Sequence, residues 1–333
     1  MISQKSTPAF RDGSNNRPPA VAEVGDVWRS KNAAFQERLM HLLRYARHGG
    51  VPILLEGASG TGKSSIARAI HAASPREKKP FKAVTLSSME DSLAGSDLFG
   101  HVVGAFTDAR QTRVGAFISA SGGTLFLDEI GKASDRVQLK LLGCVEEKVV
   151  VPEGSDREIR VDVRIVSATN IPLDVLVRNG TLLPDLAARL GLFRVVLSSL
   201  SERTEDIVDI ARKIVTRRAR DFGYERAPSI DDDLADALVM ADWPMNIRQL
   251  DAVMQHLLME AAISQSSVLT CEHCVGDLCN LGGRFARLAP HDGPTLDVRG
   301  AIQSVESRAA LAKRLGISES TLYRRLRQQE SDG

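Results

Sequence analysis

The chain has 333 residues, 43% hydrophobic and 26% charged, a composition ordinary for a folded soluble protein and a length for two or three domains. Its 43 Lys and Arg nearly cancel its 42 Asp and Glu, so overall charge singles out no highly charged partner. No apolar run approaches the ~20 residues of a membrane span, MISQKSTPAF lacks the apolar centre of a secretory signal, and four cysteines make no disulfide framework, so the expectation is a cytoplasmic, reduced protein.

Residues 1–24 are rich in Ser, Asn, Pro and Arg without an apolar period, which predicts a disordered tail. Helical spacing marks residues 27–47, with Phe35, Leu39, Leu42, Leu43 and Ala46 on one side. Short apolar runs then alternate with helical stretches, at 51–55, 83–86, 124–127, 164–168 and 195–197. Near-continuous apolar runs bounded by Gly, Ser or Asp suit parallel strands covered on both faces. Strands alternating with helices imply a parallel α/β sheet. After Leu200 the pattern changes: 207–222, 230–241 and 247–263 read as helices with no strand between them. Residues 265–294, with Gly282, Gly283, Pro290, Gly293 and Pro294, read as a linker, and a last helical stretch runs from about 296 to 329. The expected organisation is therefore an α/β subdomain over 25–200, a helical one over 201–264, a linker over 265–294 and a small all-α unit over 295–333. No 20–50-residue repeat is present.

One segment carries explicit chemistry. Gly57, Ala58, Ser59, Gly60, Thr61, Gly62, Lys63 and Ser64 fit G-x-x-x-x-G-K-[ST], between the apolar run PILLE and the helical SSIARAIHAA. Glycines let backbone N–H groups curl around phosphate oxygens, and a helix start adds its own donors. Lys63 is then expected on the β- and γ-phosphates and the Ser64 hydroxyl on Mg²⁺. A second apolar run, GGTLFLDE, ends in two carboxylates. Alone, Asp-Glu after a strand is also a common helix start. Beside a phosphate loop, Asp128 is expected in the Mg²⁺ shell and Glu129 to polarise attacking water. The run VRIVSAT ends at Asn170, which either senses the γ-phosphate or caps the next turn.

GASGTGKS, SDLFGHVVGAFTDA, GGTLFLDEIG, VRIVSATN and WPMNIRQL together resemble the AAA+ domain of bacterial enhancer-binding proteins, the sigma-54-dependent activators, over about residues 27–262. The resemblance implies an AAA+ P-loop parallel sheet with a helical lid, ATP and Mg²⁺ as cofactors, and a ring, usually a hexamer. Hydrolysis between subunits would drive a loop against sigma-54 RNA polymerase. Phe106 and Thr107 match the residues that touch sigma-54 in the family's GAFTGA loop, and Asp108 stands where the family has Gly. That change removes easy access to φ > 0 and adds a charge near the loop tip. It implies a weak hold on sigma-54, a need for a partner subunit with an intact loop, or simple tolerance of Asp. In TLLPDLAARL, Leu183 replaces the first arginine of the family's FRxDLxxRL, so Arg189 is the arginine-finger candidate, acting on a neighbour's γ-phosphate. Thr85 stands where the family has the Asn that holds the catalytic Glu. Arg248 matches the second sensor of the lid.

Residues 308–327, RAALAKRLGISESTLYRRLR, have helix-turn-helix spacing, with Gly316 closing the first helix and Ser318 capping the second. Arg308, Lys313, Arg314, Arg324, Arg325 and Arg327 face a single acid, Glu319. The segment resembles the Fis-type helix-turn-helix that closes many enhancer-binding proteins, which implies upstream enhancer DNA as a partner. Ser320, Thr321 and Arg324 are the base-reading candidates, and Arg325 and Arg327 the phosphate contacts. Cys271, His273, Cys274 and Cys279 have a metal-like density, but adjacent residues 273 and 274 strain one tetrahedral site, and the alternative is a linker with incidental cysteines. The 24-residue tail is too short for a receiver or sensing domain. The expectation is the family type without such a domain, controlled by a regulatory protein in trans, a partner subunit in a homo- or hetero-oligomer, or expression level.

Overall fold

The computed structural model describes residues 27–86, 91–106 and 109–274. The expected tail, most of the expected linker and the carboxy-terminal helix pair lie outside them. The helix that carries this spacing begins at Ala33, because the Asn32 side chain accepts the Phe35 amide and fixes the start there. This helix, α1 (Ala33–Arg47), leads to β1 (Ile53–Glu56), α2 (Lys63–Ala72), β2 (Phe81–Thr85) and α3 (Asp91–Phe99). A hairpin of β3 (Gly100–His101) and β4 (Arg113–Val114) precedes α4 (Ala116–Ser119), β5 (Thr124–Asp128) and α5 (Asp135–Glu147). A second hairpin, β6 (Val149–Val150) and β7 (Ile159–Arg160), is followed by β8 (Arg164–Thr169), α6 (Leu173–Arg178), α7 (Pro184–Leu190) and β9 (Phe193–Val196).

Five strands form one parallel sheet in the order β2-β5-β8-β1-β9. Alternate side chains enter opposite cores. Ile53, Leu55, Phe126, Val166, Ala168 and Val195 pack with α1 and α2 on one face. Leu54, Leu125, Leu127 and Ile165 pack with α3 to α7 on the other. Each of the Val, Leu, Ile and Phe side chains among these, buried in full, contributes roughly 1.5–3 kcal/mol. Because the strands are parallel, the loops after β1, β5 and β8 emerge at one edge, where open α/β sheets bind ligands.

The second subdomain has its own core, from Leu200 through Trp243 to Leu269. Its helices are α8 (Ile207–Arg218), α9 (Asp232–Met240) and α10 (Asn246–Ile263). Two expectations change here. The first helix stops at Arg218 and tightens to a 3-10 turn, Ala219–Phe222, closed by Gly223 at φ 83°. The unit is not wholly helical either: β10 (Ser229–Ile230) pairs in parallel with β11 (Val268–Leu269). The second of these strands lies in the stretch read as linker, and its Leu269 is fully buried, so the chain stays packed on the helices as far as His273.

Candidate functional site

The loop from Gly57 to Ser64 joins β1 to α2, and its left-handed turns fall on glycines, Gly60 at φ 79° and Gly62 at φ 101°. The helical subdomain closes over it. Buried Trp243 donates its indole N–H to Leu238 O at 2.9 Å and anchors a turn in which Asn246 takes φ 54°. From that turn the Ile247 amide donates to Gly60 O at 2.9 Å. The Asn246 side chain donates to Ser59 O, and Arg248 donates to the Ser59 hydroxyl, each at 2.8 Å. A methyl group at position 60 would stand 2.0 Å from Met245 O, so glycine is what lets the two subdomains meet here.

Lys63 Nζ lies inside the loop, donating to Gly57 O at 2.7 Å and Ala58 O at 3.0 Å. Burial pushes its pKa down, against the nearby carboxylates of Asp128 and Glu129. Burial pushes the Asp128 carboxyl up, against the Lys63 charge and the Glu129 amide, which donates to Asp128 Oδ1 at 3.0 Å. Glu129 itself stands at φ 57°, a strained position for a side chain of this size. Thr85 is the register partner of Asp128 on β2. Asn170 follows Thr169, whose carbonyl accepts the Gly57 amide at 3.2 Å. Ser64 and Asn170 are exposed at this edge. A recessed ammonium, a carboxylate two strands away and an exposed hydroxyl on the helix start fit a nucleotide phosphate with its Mg²⁺.

Arg189 is not part of this cluster. On α7 it is 58% exposed and pairs with Glu146 at 2.7 Å. It lines a cavity with Gly50, Pro52, Val163 and Ile165, which lie where β1 and β8 begin. At about 3.3 Å per residue, that is roughly a strand length from its own phosphate loop. Leu183, at the position of the missing arginine, is half-buried against the core and gives its amide to Gln138 Oε1 at 2.8 Å.

The Phe106 loop caps the β3–β4 hairpin. Gly104 N donates to Ala109 O and Ala109 N to Phe106 O, each at 2.9 Å. The Phe106 ring lies edge-on to that of His101, centroids 4.9 Å apart. Thr107 and Asp108 lie outside the described residues.

A model of the sigma-54 interaction domain matches residues 29–196, and a model of the AAA+ ATPase lid domain matches residues 201–280. The chain belongs to the sigma-54 interaction domain family. It is 40% identical to the transcriptional regulatory protein GlrR of Escherichia coli K12 over 79% of this chain and 58% of that protein. It is 39% identical to the Nif-specific regulatory protein of Azospirillum brasilense over 73% of this chain and 40% of that protein. The chain thus spans about half the length of these curated relatives. NtrX from Brucella abortus in complex with ATP superposes with a TM-score of 0.69 at 26% identity, over 92% of this chain and 71% of that one. The fold is thus a parallel-sheet AAA+ domain with its lid.

Within this sigma-54 interaction domain and its lid, two residues that sequence reasoning missed organise the site. Buried Arg203 donates to Thr61 O at 3.2 Å, lies 4.3 Å over the Phe35 ring and faces Asp206. Asp206 in turn accepts the Lys31 amide at 2.6 Å and the Ser30 hydroxyl at 2.5 Å. The pair ties the phosphate loop to the lid and to the segment before α1. An arginine within SERTEDI gives no sequence signal of burial. Asn246, quoted in a motif but given no role, bridges further: besides Ser59 it accepts the Leu200 amide at 2.7 Å.

The DNA-reading candidates Ser320, Thr321, Arg324, Arg325 and Arg327, and Cys279, lie outside the described residues. His273 is already engaged, Nδ1 with the Thr270 amide and hydroxyl and Nε2 with the Ser264 hydroxyl. Among the described residues no three metal-ligating side chains converge. Among the described cysteines, Cys144 is a buried thiol and Cys271 a half-buried thiol. No described helix is long and apolar enough to cross a membrane.

Proposed function

We propose that the chain is an ATPase that activates sigma-54 RNA polymerase, bound to upstream enhancer DNA through residues 320–327. The observation that carries this is the convergence of Lys63, Asp128, Glu129 and Arg248 on one sheet edge, with Arg189 at the other. Lys63 and the loop amides hold the β- and γ-phosphates. Ser64 and Asp128 would hold Mg²⁺, which when bound would neutralise phosphate charge. Glu129 orients and polarises the attacking water, while Asn170 and Arg248 read the γ-phosphate. Arg189, too far from its own loop, serves the next subunit of a ring, a homo- or hetero-hexamer. Phe106 and Thr107 press on sigma-54. A regulatory protein in trans supplies control.

A second reading keeps DNA binding and loses autonomous remodelling. It is favoured by Leu183, which is turned into the core, and by Thr85, whose short side chain replaces the Asn switch. Two assays separate the readings. Purified chain should hydrolyse ATP, and Glu129→Gln should stop turnover while nucleotide stays bound; turnover surviving that change removes Glu129 from the mechanism. Asp108→Gly should raise output from a sigma-54 promoter reporter if the loop is weakened; unchanged output shows that Asp is tolerated there.

A further inference from the structure

We propose that Glu153 is a positioning residue that links the Phe106 loop to α5, the helix following the Asp128–Glu129 strand end. This rests on the reading of that loop as a contact element driven from the nucleotide site. Glu153 sits in the turn between β6 and β7, and its side chain is only 13% exposed. Its carboxylate receives Arg136 Nη2 on Oε2 at 2.7 Å and Lys140 Nζ on Oε1 at 2.6 Å. Those two cations stand four residues apart, on one face of α5. Lys140 also lies 5.4 Å over the Phe99 ring at the end of α3. On α3, Gly95 leaves the carboxylate its space, since a methyl group there would stand 2.7 Å from Oε1.

The backbone of the same residue grips the loop. Glu153 N donates to Gly100 O at 2.8 Å, and Val102 N donates to Glu153 O at 3.1 Å, so the bonds straddle His101. The His101 ring, 2.7 Å from the Ser96 hydroxyl through Nδ1, supports Phe106 edge-on. A continuous path thus runs from Glu129 through the turn Ile130–Lys132 into α5, across the Glu153 carboxylate, and through residues 100–102 to Phe106. Every step but one is covalent chain or backbone pairing. The exception is the pair of side-chain bonds on Glu153, which cross-link the middle of α5 to the loop directly, beside the longer covalent route from the end of α5 through β6 to the same turn.

The test is hydrogen exchange of segment 99–106 in the full chain, with and without Mg²⁺ and an ATP analogue that is not hydrolysed. In the wild type, nucleotide should change exchange in this segment. Glu153→Gln, of the same size without the charge, should speed exchange at Val102 by about tenfold, the loss of one charge-assisted link. It should also weaken the nucleotide response severalfold while nucleotide affinity and exchange in α8 stay at wild-type values. Adding Arg136→Gln should then do nothing more, because its bond to Glu153 is already cut. The proposal is overturned if Glu153→Gln keeps the full nucleotide response, if loop and lid loosen together, or if the wild-type segment ignores nucleotide. Its fate is separable from that of the proposed function. A chain that responds through Glu153 without hydrolysing ATP refutes the activator and keeps the link. Normal open-complex formation by Glu153→Gln refutes the link and keeps the activator.

Discussion

Lys63 and Asp128 are each driven toward neutrality by burial and held charged by the other. This fixes the sign of the pH dependence. In its proposed role Asp128 must be ionised to hold Mg²⁺, and burial makes its carboxyl keep its proton to a higher pH than an exposed Asp. Affinity for Mg²⁺-nucleotide should therefore fall on acidification at a pH above the ordinary Asp range. In its proposed role Lys63 must be protonated to hold phosphate, and its lowered pKa brings a second loss on the alkaline side. Titrating affinity against pH checks both limbs. Asp128→Asn should flatten the acid one, and an unchanged acid limb in that variant would assign it elsewhere. Arg248 makes one hydrogen bond to Ser59 and is otherwise exposed. Arg248→Ala should weaken nucleotide binding by about tenfold, the ~1.4 kcal/mol of one charge-assisted hydrogen bond. Equilibrium binding of a fluorescent nucleotide reads this directly.

Among the elements, the clearest contrast is between two glycines. Gly60 has φ 79° and a lid carbonyl where its side chain would go, whereas Gly143, within α5, has open space around it. Gly60→Ala should destabilise the chain by about 1–3 kcal/mol and loosen the lid from the loop. Gly143→Ala should stabilise it by roughly 0.5–1 kcal/mol, because Ala restricts the unfolded chain more than Gly. Thermal melts of both variants check the pair, and equal shifts would contradict the close approach at Gly60. The same distinction explains what the sequence made legible. The central strands β1, β5 and β8 announce themselves because both faces are buried, so Ile53–Leu55 or Leu125–Leu127 read as unbroken apolar runs. The phosphate loop reads from chemistry alone, since only glycine tolerates its turns. The pair Ser229–Ile230 and Val268–Leu269 is two residues long, too short for any period, so a packed strand passed for linker. Arg203 and Glu153 were invisible for a different reason. Each looks like a surface charge until partners distant in sequence, Thr61 for one and Gly100 for the other, enclose it.

For the whole molecule, the role proposed for Arg189, which stands apart from its own phosphate loop, requires an active unit larger than one chain. Arg189→Ala should leave the fold intact, because its ion pair with Glu146 is exposed and such pairs contribute ~0–1 kcal/mol. It should still remove most hydrolysis. Subunits carrying Lys63→Ala and subunits carrying Arg189→Ala, each inactive alone, should recover part of the activity when mixed, since some interfaces then combine an intact loop with an intact arginine. Titrating one variant against the other measures this; no recovery at any ratio places the arginine in cis or outside catalysis. The most direct measurement of the central claim is open-complex formation by sigma-54 RNA polymerase on a promoter with upstream DNA. The account predicts open complexes with the wild-type chain and ATP, and none with a non-hydrolysed analogue or with Lys63→Ala. Open complexes that form equally well with Lys63→Ala would contradict it.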